Sequence, residues 1–235
     1  MRLAWSFPFA LFEYLDTDIM TDNFRQVSDE LVQVANKLHF RGWLMGTSGN
    51  LSAVITPDPL RLAITRSGVD KGELTHSDIL LIDEDSRPVT GESGKPSDES
   101  SLHVAVVKTG SAGAVLHTHS IWSTTLSDLH YSEHGFAIEG FEMLKGLSGV
   151  KTHLHREWIP ILENSQDMSE LAQTVTQTLT SYPETHALVL HRHGLYTWGR
   201  DLKEATRHVE ILEFLFEALV RTRMVNYGSS HNTFE

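Results

Sequence analysis

Cysteine is absent from the 235 residues. Disulfides, thiolate metal sites and cysteine nucleophiles are therefore excluded, and any transition metal must be held by histidine and carboxylate. Cations are scarce: Lys and Arg total 19 against 31 Asp and Glu, a formal charge of −12 with histidine neutral. Such a surface repels phosphate backbones and anionic lipid, so neither nucleic acid nor a membrane is expected as a partner. No apolar run approaches the ~20 residues of a membrane span. Met1 to Phe12 is apolar behind a single Arg2, but Pro8 interrupts it, Glu13, Asp16 and Asp18 follow, and no small-residue cleavage site appears. Residues 1–19 accordingly read as an N-terminal extension, either disordered or the product of a start placed too early. With no internal repeat and no low-complexity linker, one domain is expected over residues 20–225, followed by a polar tail over 226–235.

What the chain does contain is an ordinary globular composition, 40% hydrophobic and 21% charged, together with 14 histidines. From Asn23 to Phe40 the apolar residues Phe24, Val27, Leu31, Val34, Ala35 and Leu38 fall at helical spacing, with Asp22 or Thr21 as the cap. Strands are expected at Leu51–Ile55 and Arg61–Thr65, turned by Pro57-Asp58-Pro59, and again at Ile79–Asp83, Ala114–His117, Ala187–His191 and Leu195–Trp198. Helices are expected from Ser97 or Asp98 to about Lys108, over Met168–Leu179, and over Leu202–Arg223 behind an Asp201 cap. Strands in adjacent pairs, rather than in strict βαβ alternation, imply a single-domain α/β/α sandwich with a largely antiparallel central sheet.

The segment Ala114-Val115-Leu116-His117-Thr118-His119 carries the most chemistry. Residues i and i+2 of a strand share a face, so two imidazoles leaving the end of a buried strand can chelate one ion. The same His-x-His spacing recurs at His153/His155 and His191/His193, and spacing alone does not choose among the three. His153 and His155 lie in a polar stretch that reads as loop or edge. His191 ends an apolar run, as a core histidine or one behind the ligands would, while His193 stands before Gly194, where the chain can approach a site closely.

Taken together, several segments resemble the class II aldolase/adducin family. They are Gly46-Thr47-Ser48-Gly49-Asn50-Leu51-Ser52, Ile64-Thr65-Arg66-Ser67-Gly68, Lys95-Pro96-Ser97-Asp98-Glu99 with His103, Gly113 to Ser120 around the first His-x-His, and Arg192 to Gly199. They match in order and spacing from about Met20 to Arg223. The resemblance implies one Zn²⁺ per subunit on His117, His119 and His193, in a cytoplasmic, metal-dependent lyase acting on a small phosphorylated sugar. Ile138 to Gly146 and His193 to Asp201 resemble the dehydratase branch of the family, which serves methionine salvage by removing water from a methylthio-substituted pentulose phosphate. The same scaffold also supports sugar-phosphate aldolases, epimerases and adducin-like binding modules without catalysis.

Two carboxylates compete for the proton-moving role. Glu142 matches the acid/base position of the dehydratases, and Glu99 matches the catalytic glutamate of the aldolases. The resemblance further implies a phosphate site among Thr47, Ser48, Gly49, Asn50, Ser67, Gly68 and Ser97, with Lys145 also toward substrate. Small residues and hydroxyls there would let backbone N–H groups reach an anion. Read alone, Gly46 to Asn50 is equally an ordinary turn, and the Gly-Lys-Ser/Thr ending of a Walker A loop is missing. A homo-oligomer, commonly a tetramer, is the family's usual assembly.

Overall fold

The structure is a computed structural model and describes residues 9–89 and 94–230, with side chains from 21 to 89 and 94 to 225. A long helix α1 (Phe9–Phe40) precedes the hairpin of β1 (Asn50–Pro57) and β2 (Leu60–Thr65), and then β3 (Ile79–Ile82). Next come α2 (Ser100–Gly110), β4 (Ala114–Thr118), α3 (Ile121–Leu129), β5 (Gly135–Ile138) and β6 (Glu157–Leu162). The chain closes with α4 (Met168–Ser181), the hairpin of β7 (Ala187–Leu190) and β8 (Gly194–Gly199), and α5 (Leu202–Ser230).

The strands form one eight-stranded sheet in the order β3-β2-β1-β4-β8-β7-β6-β5. Every neighbouring pair is antiparallel except β6 with β7. The expected α/β/α sandwich is therefore what forms. Alternation along the strands sorts the two faces. Val115 and Tyr196 pack with Leu102, Val106, Leu171 and Val175 of α2 and α4. Ala114 and Leu116 pack with Leu31, Ala35 and Leu38 of α1 and with Ala205 and Val209 of α5. Beyond them Leu126 of α3 joins Leu212, Leu215 and Phe216 of α5 against β6, β7 and β8. β4 lies fully buried between β1 and β8, so truncating Leu116 to Ala should cost ~2–5 kcal/mol.

Several element ends differ from the sequence reading. α1 runs unbroken from Phe9, so Thr21 and Asp22 lie within the helix and do not cap it. Residues 9–19, expected as an extension, have helical backbone, and α5 carries residues 226–230 of the expected tail; residues 1–8 and 231–235 lie outside the described residues. Glu99, not Ser97 or Asp98, sits at the cap position of α2, and its side chain makes no capping bond. Asp201 does cap α5, its Oδ1 accepting from the Glu204 N–H at 2.7 Å.

Candidate metal centre and cleft

β4 is held on both sides, pairing Asn50 of β1 with His117 and His117 with Tyr196 of β8. Its side-chain alternation puts His117 and His119 on the face toward α2, while Thr118 turns to α5 and donates from Oγ1 to Glu213 Oε1 at 3.3 Å. The His119 N–H donates to the Trp43 carbonyl at 2.8 Å, fixing the chain just past the strand. His193 arrives on the tight turn between β7 and β8. A Cβ on Gly194 would lie 2.2 Å from the Thr118 carbonyl oxygen and 3.0 Å from His117 Cε1, so only glycine lets the two segments meet. Gly49, at φ +70°, allows the same approach from the other side, where a Cβ would meet the His117 carbonyl oxygen at 2.6 Å.

The three imidazoles converge, with one nitrogen from each within 4.8 Å of the others. His117 Nε2 and His119 Nε2 are 2.8 Å apart, and His119 Nε2 is 3.1 Å from His193 Nε2. His117 Nδ1 donates to the Leu195 carbonyl at 3.0 Å, and His193 Nδ1 donates to Asn164 Oδ1 at 3.1 Å. Those two bonds place the ring protons on Nδ1 and leave the facing Nε2 lone pairs open, as a metal ligand requires. Burial holds His117 well below the ordinary histidine range, with His119 and His193 adding to it. Burial, then His193 and Lys71, bring His119 down to about 4, and burial lowers His193 against the pull of Glu99. At neutral pH this is a set of three uncharged nitrogen donors, and it could hold a metal ion.

Glu99 joins the cluster from the start of α2. Its Oε1 lies 3.3 Å from His193 Nε2 and its Oε2 lies 3.6 Å from His117 Nε2. Asn50 Nδ2 donates to Glu99 Oε2 at 2.6 Å and to Ser97 Oγ at 3.1 Å. A cleft of about 150 Å³ opens in front of these groups, lined by Thr47, Ser48, Gly49, Asn50, Ser67, Ser97, Glu99, His119 and His193. Arg66 and Lys71 line it too, and the sequence reading assigned neither a role. Lys71 is buried, and its ammonium donates to the Thr47 and Val69 carbonyls, both at 3.0 Å, which leaves one N–H uncommitted. Nothing periodic marks Lys71; only its position three residues after Gly68 could have drawn attention to it. Ser48 Oγ is buried in the same wall without a hydrogen-bond partner among the described residues.

Gly68 and Lys145 do not line this cleft, and neither does Glu142. Glu142 opens a 3-10 turn over Glu142–Gly146, 71% exposed, with Lys145 Nζ at 2.7 Å and His153 Nδ1 at 3.7 Å. The Lys145 ammonium, bonded to it, lowers its pKa. The other His-x-His pairs are otherwise engaged. His155 meets Glu157 at 2.7 Å. His191, expected in the core or behind the ligands, is partly exposed, stacks on Tyr131 at 3.8 Å and faces Asp128 at 3.3 Å. Helix α3, unforeseen in the sequence, anchors the His193 turn: Ser127 Oγ accepts from the Arg192 N–H at 2.9 Å, and Thr124 Oγ1 donates to the His193 carbonyl at 3.3 Å.

A family model described as the class II aldolase and adducin N-terminal domain matches residues 29–220. The chain belongs to the class II aldolase and adducin family. Curated relatives of this family member include a methylthioribulose-1-phosphate dehydratase of Persephonella marina, 40% identical over 77% of this chain and 83% of its own. A protein of the same name from Serratia proteamaculans is 40% identical over 88% of this chain and 98% of its own. Among solved structures, an L-fuculose-1-phosphate aldolase from Thermus thermophilus superposes with a TM-score of 0.68 at 25% identity, covering 86% of this chain and 98% of that one. Among the described residues, no helix is long and apolar enough to cross a membrane.

Proposed function

We propose that this chain is a zinc-dependent hydro-lyase of methionine salvage. In this reading it converts 5-methylthioribulose 1-phosphate to 2,3-diketo-5-methylthiopentyl 1-phosphate, with one Zn²⁺ held by His117, His119 and His193. The observation that carries the reading is the convergence of three neutral imidazoles and one carboxylate on a small cleft of hydroxyls, glycine and cations, in a chain 40% identical to proteins bearing the dehydratase name. The donor set fits zinc, since three imidazoles leave a fourth position open. A metal bound there supplies Lewis acidity toward the C2 carbonyl oxygen, an effect of several kcal/mol on such barriers.

The chain's own groups account for the rest. The cleft wall of Thr47, Ser48, Gly49, Ser67 and Ser97 supplies hydroxyls and backbone N–H groups to the phosphate, the unpartnered Ser48 Oγ and the uncommitted Lys71 N–H among them. Asn50 serves this wall indirectly, because its amide group donates to Ser97 and Glu99. A carboxylate takes the C3 proton, and hydroxide leaves C4 as it is protonated, so one water departs. The enol that remains becomes the C2–C3 diketone. Glu142 is assigned the base and then acid role, with Glu99 assisting and orienting; such groups contribute ~10²–10⁴-fold. Lys145 keeps Glu142 ionised, as a base requires. Because Glu142 stands outside the cleft of its own subunit, the reading includes a homo-oligomer, a tetramer by family likeness, in which a neighbouring copy closes the cleft. The reading places the enzyme in the cytoplasm.

The deciding experiment is turnover of methylthioribulose 1-phosphate by the purified chain, before and after chelation, with metal content measured in parallel. Dehydration that vanishes on chelation and returns with Zn²⁺ is the expected result. One observation favours a second reading: Glu99, the aldolase position, is the carboxylate that faces the histidines. Bound metal with cleavage of fuculose or ribulose phosphates, and no dehydration, would replace the first reading by that one. A protein with neither metal nor activity would be a binding module.

A further inference from the structure

Behind Glu99 and Asn50 lie two further buried polar side chains that take no part in the chemistry above. His103, on the first turn of α2, is fully buried, as is Ser52 on β1. Ser52 Oγ is 2.7 Å from His103 Nδ1, His103 Nε2 is bonded to Asn50 Oδ1, and Asn50 Nδ2 reaches Glu99 Oε2. A histidine in an apolar layer is ordinarily read as core packing, and His103 does lie edge-on to Tyr196, ring centroids 5.8 Å apart.

The direction of each bond in this chain is fixed by the chemistry of its ends. Glu99 Oε2 and Ser97 Oγ surround the amide nitrogen of Asn50, so that group donates and its Oδ1 is left to accept. His103 Nε2 must then carry the proton that Oδ1 accepts. Burial keeps the imidazole neutral, down to about 3, so Nδ1 bears a lone pair and Ser52 Oγ–H donates to it. The sense is single: Ser52 to His103 to Asn50 to Glu99. An Asn side chain is nearly symmetric in shape, and without a donor at Oδ1 it could rotate and set its carbonyl oxygen against the carboxylate.

We propose that His103 is a positioning residue for Glu99, acting through Asn50: it fixes the amide so that its N–H₂ holds Glu99 Oε2 and Glu99 Oε1 is left facing the histidine cluster. Ser52 acts one step further back, by fixing the His103 tautomer. The inference rests on the reading of Glu99 as a working carboxylate of the cleft, and it requires no titration of any group there.

Its test has one arm that needs no turnover. Neutron diffraction from deuterium-exchanged, metal-loaded full chain should place deuterium on His103 Nε2, none on Nδ1, and the Ser52 deuteron toward Nδ1. Deuterium on Nδ1 would overturn the proposal even if the protein proved to be an active dehydratase, and the expected pattern would stand even if the reaction proved to be aldol cleavage. The kinetic arm compares two replacements. His103→Leu fills the space without a donor and should lower kcat ~10–100-fold with KM within about twofold and metal retained, the usual range for a residue one step behind a site. His103→Gln restores an N–H at the Nε2 position and should recover kcat to within about threefold. Equal losses in Leu and Gln, or full kcat in the Leu variant, would make His103 mere packing. Should His103→Leu fail to fold, Ser52→Ala replaces it, with a kcat loss of ~3–10-fold expected and wild-type kcat counting against the relay.

Discussion

Glu99 and Glu142 are the two carboxylates most closely tied to the proposed reaction, and their surroundings could hardly differ more. Glu99 has 17% of its side chain exposed and is gripped by Asn50, beside His117 and His193. Glu142 has 71% exposed and leans on one lysine and one histidine at the surface. The first is preorganised within its own subunit. The second is held ionised, yet faces solvent, and can work only where something brings substrate and metal to it. Preorganisation removes the cost of reorienting dipoles during reaction, and an exposed carboxylate gains that benefit only once its site is closed.

That contrast can be broken in several places. The largest effect is expected from His117→Ala, which should abolish metal binding and leave turnover at assay background, read by metal analysis and rate together. Glu142→Gln should keep the metal and lose ~10²–10⁴-fold in kcat. Glu99→Gln should also keep the metal but lose only ~10–100-fold. Wild-type turnover in Glu142→Gln beside a dead Glu99→Gln would invert the assignment.

Stability should separate the regions as well. His103 titrates at about 3 when folded and near 6.5 when unfolded, so below pH 6.5 the unfolded chain binds the extra proton. Its contribution is intact above pH 6.5 and declines on acidification, by roughly 2 kcal/mol at pH 5. Denaturant melts of wild type and His103→Gln should therefore converge or cross between pH 7 and pH 5, and parallel curves would refute the burial argument. The smallest effect belongs to the exposed side. Lys145→Met removes the group that lowers the Glu142 pKa, so the acid limb of kcat/KM should move to higher pH, and only slightly because water screens a pair this exposed.

Where the sequence was readable, side-chain pattern and tertiary role agreed. The short apolar runs of β1, β2 and β4 and the helical spacing in α1 reflect surfaces that are apolar because they are buried. The segment from Ile121 to Leu162 was opaque because polar residues share its buried faces with the apolar ones. α3 buries Ser123 and Ser127 beside Leu126 while Ile121 is 72% exposed, so its periodicity is inverted. β6 carries Pro160 and an inward Glu157, which argue against an interior strand; Glu157 is accommodated by His155 and His186. At the site, His117, His119, His193 and Glu99 were legible through motif likeness. Lys71 and the Ser52–His103–Asn50 chain were not: Lys71 is tied to the cleft through Thr47, and His103 to Ser52 and Asn50, all distant in sequence, and no local pattern records such bonds.

The strand order has a consequence for how the protein is made. β4, which holds His117 and leads into His119, finds one neighbour in β1 early in the chain and the other in β8, which follows the third histidine. A nascent chain ending before residue 193 holds His117 and His119 but lacks His193, and lacks the Leu195 carbonyl that orients His117. The three-histidine group can therefore come together only when the last hairpin docks, late in synthesis.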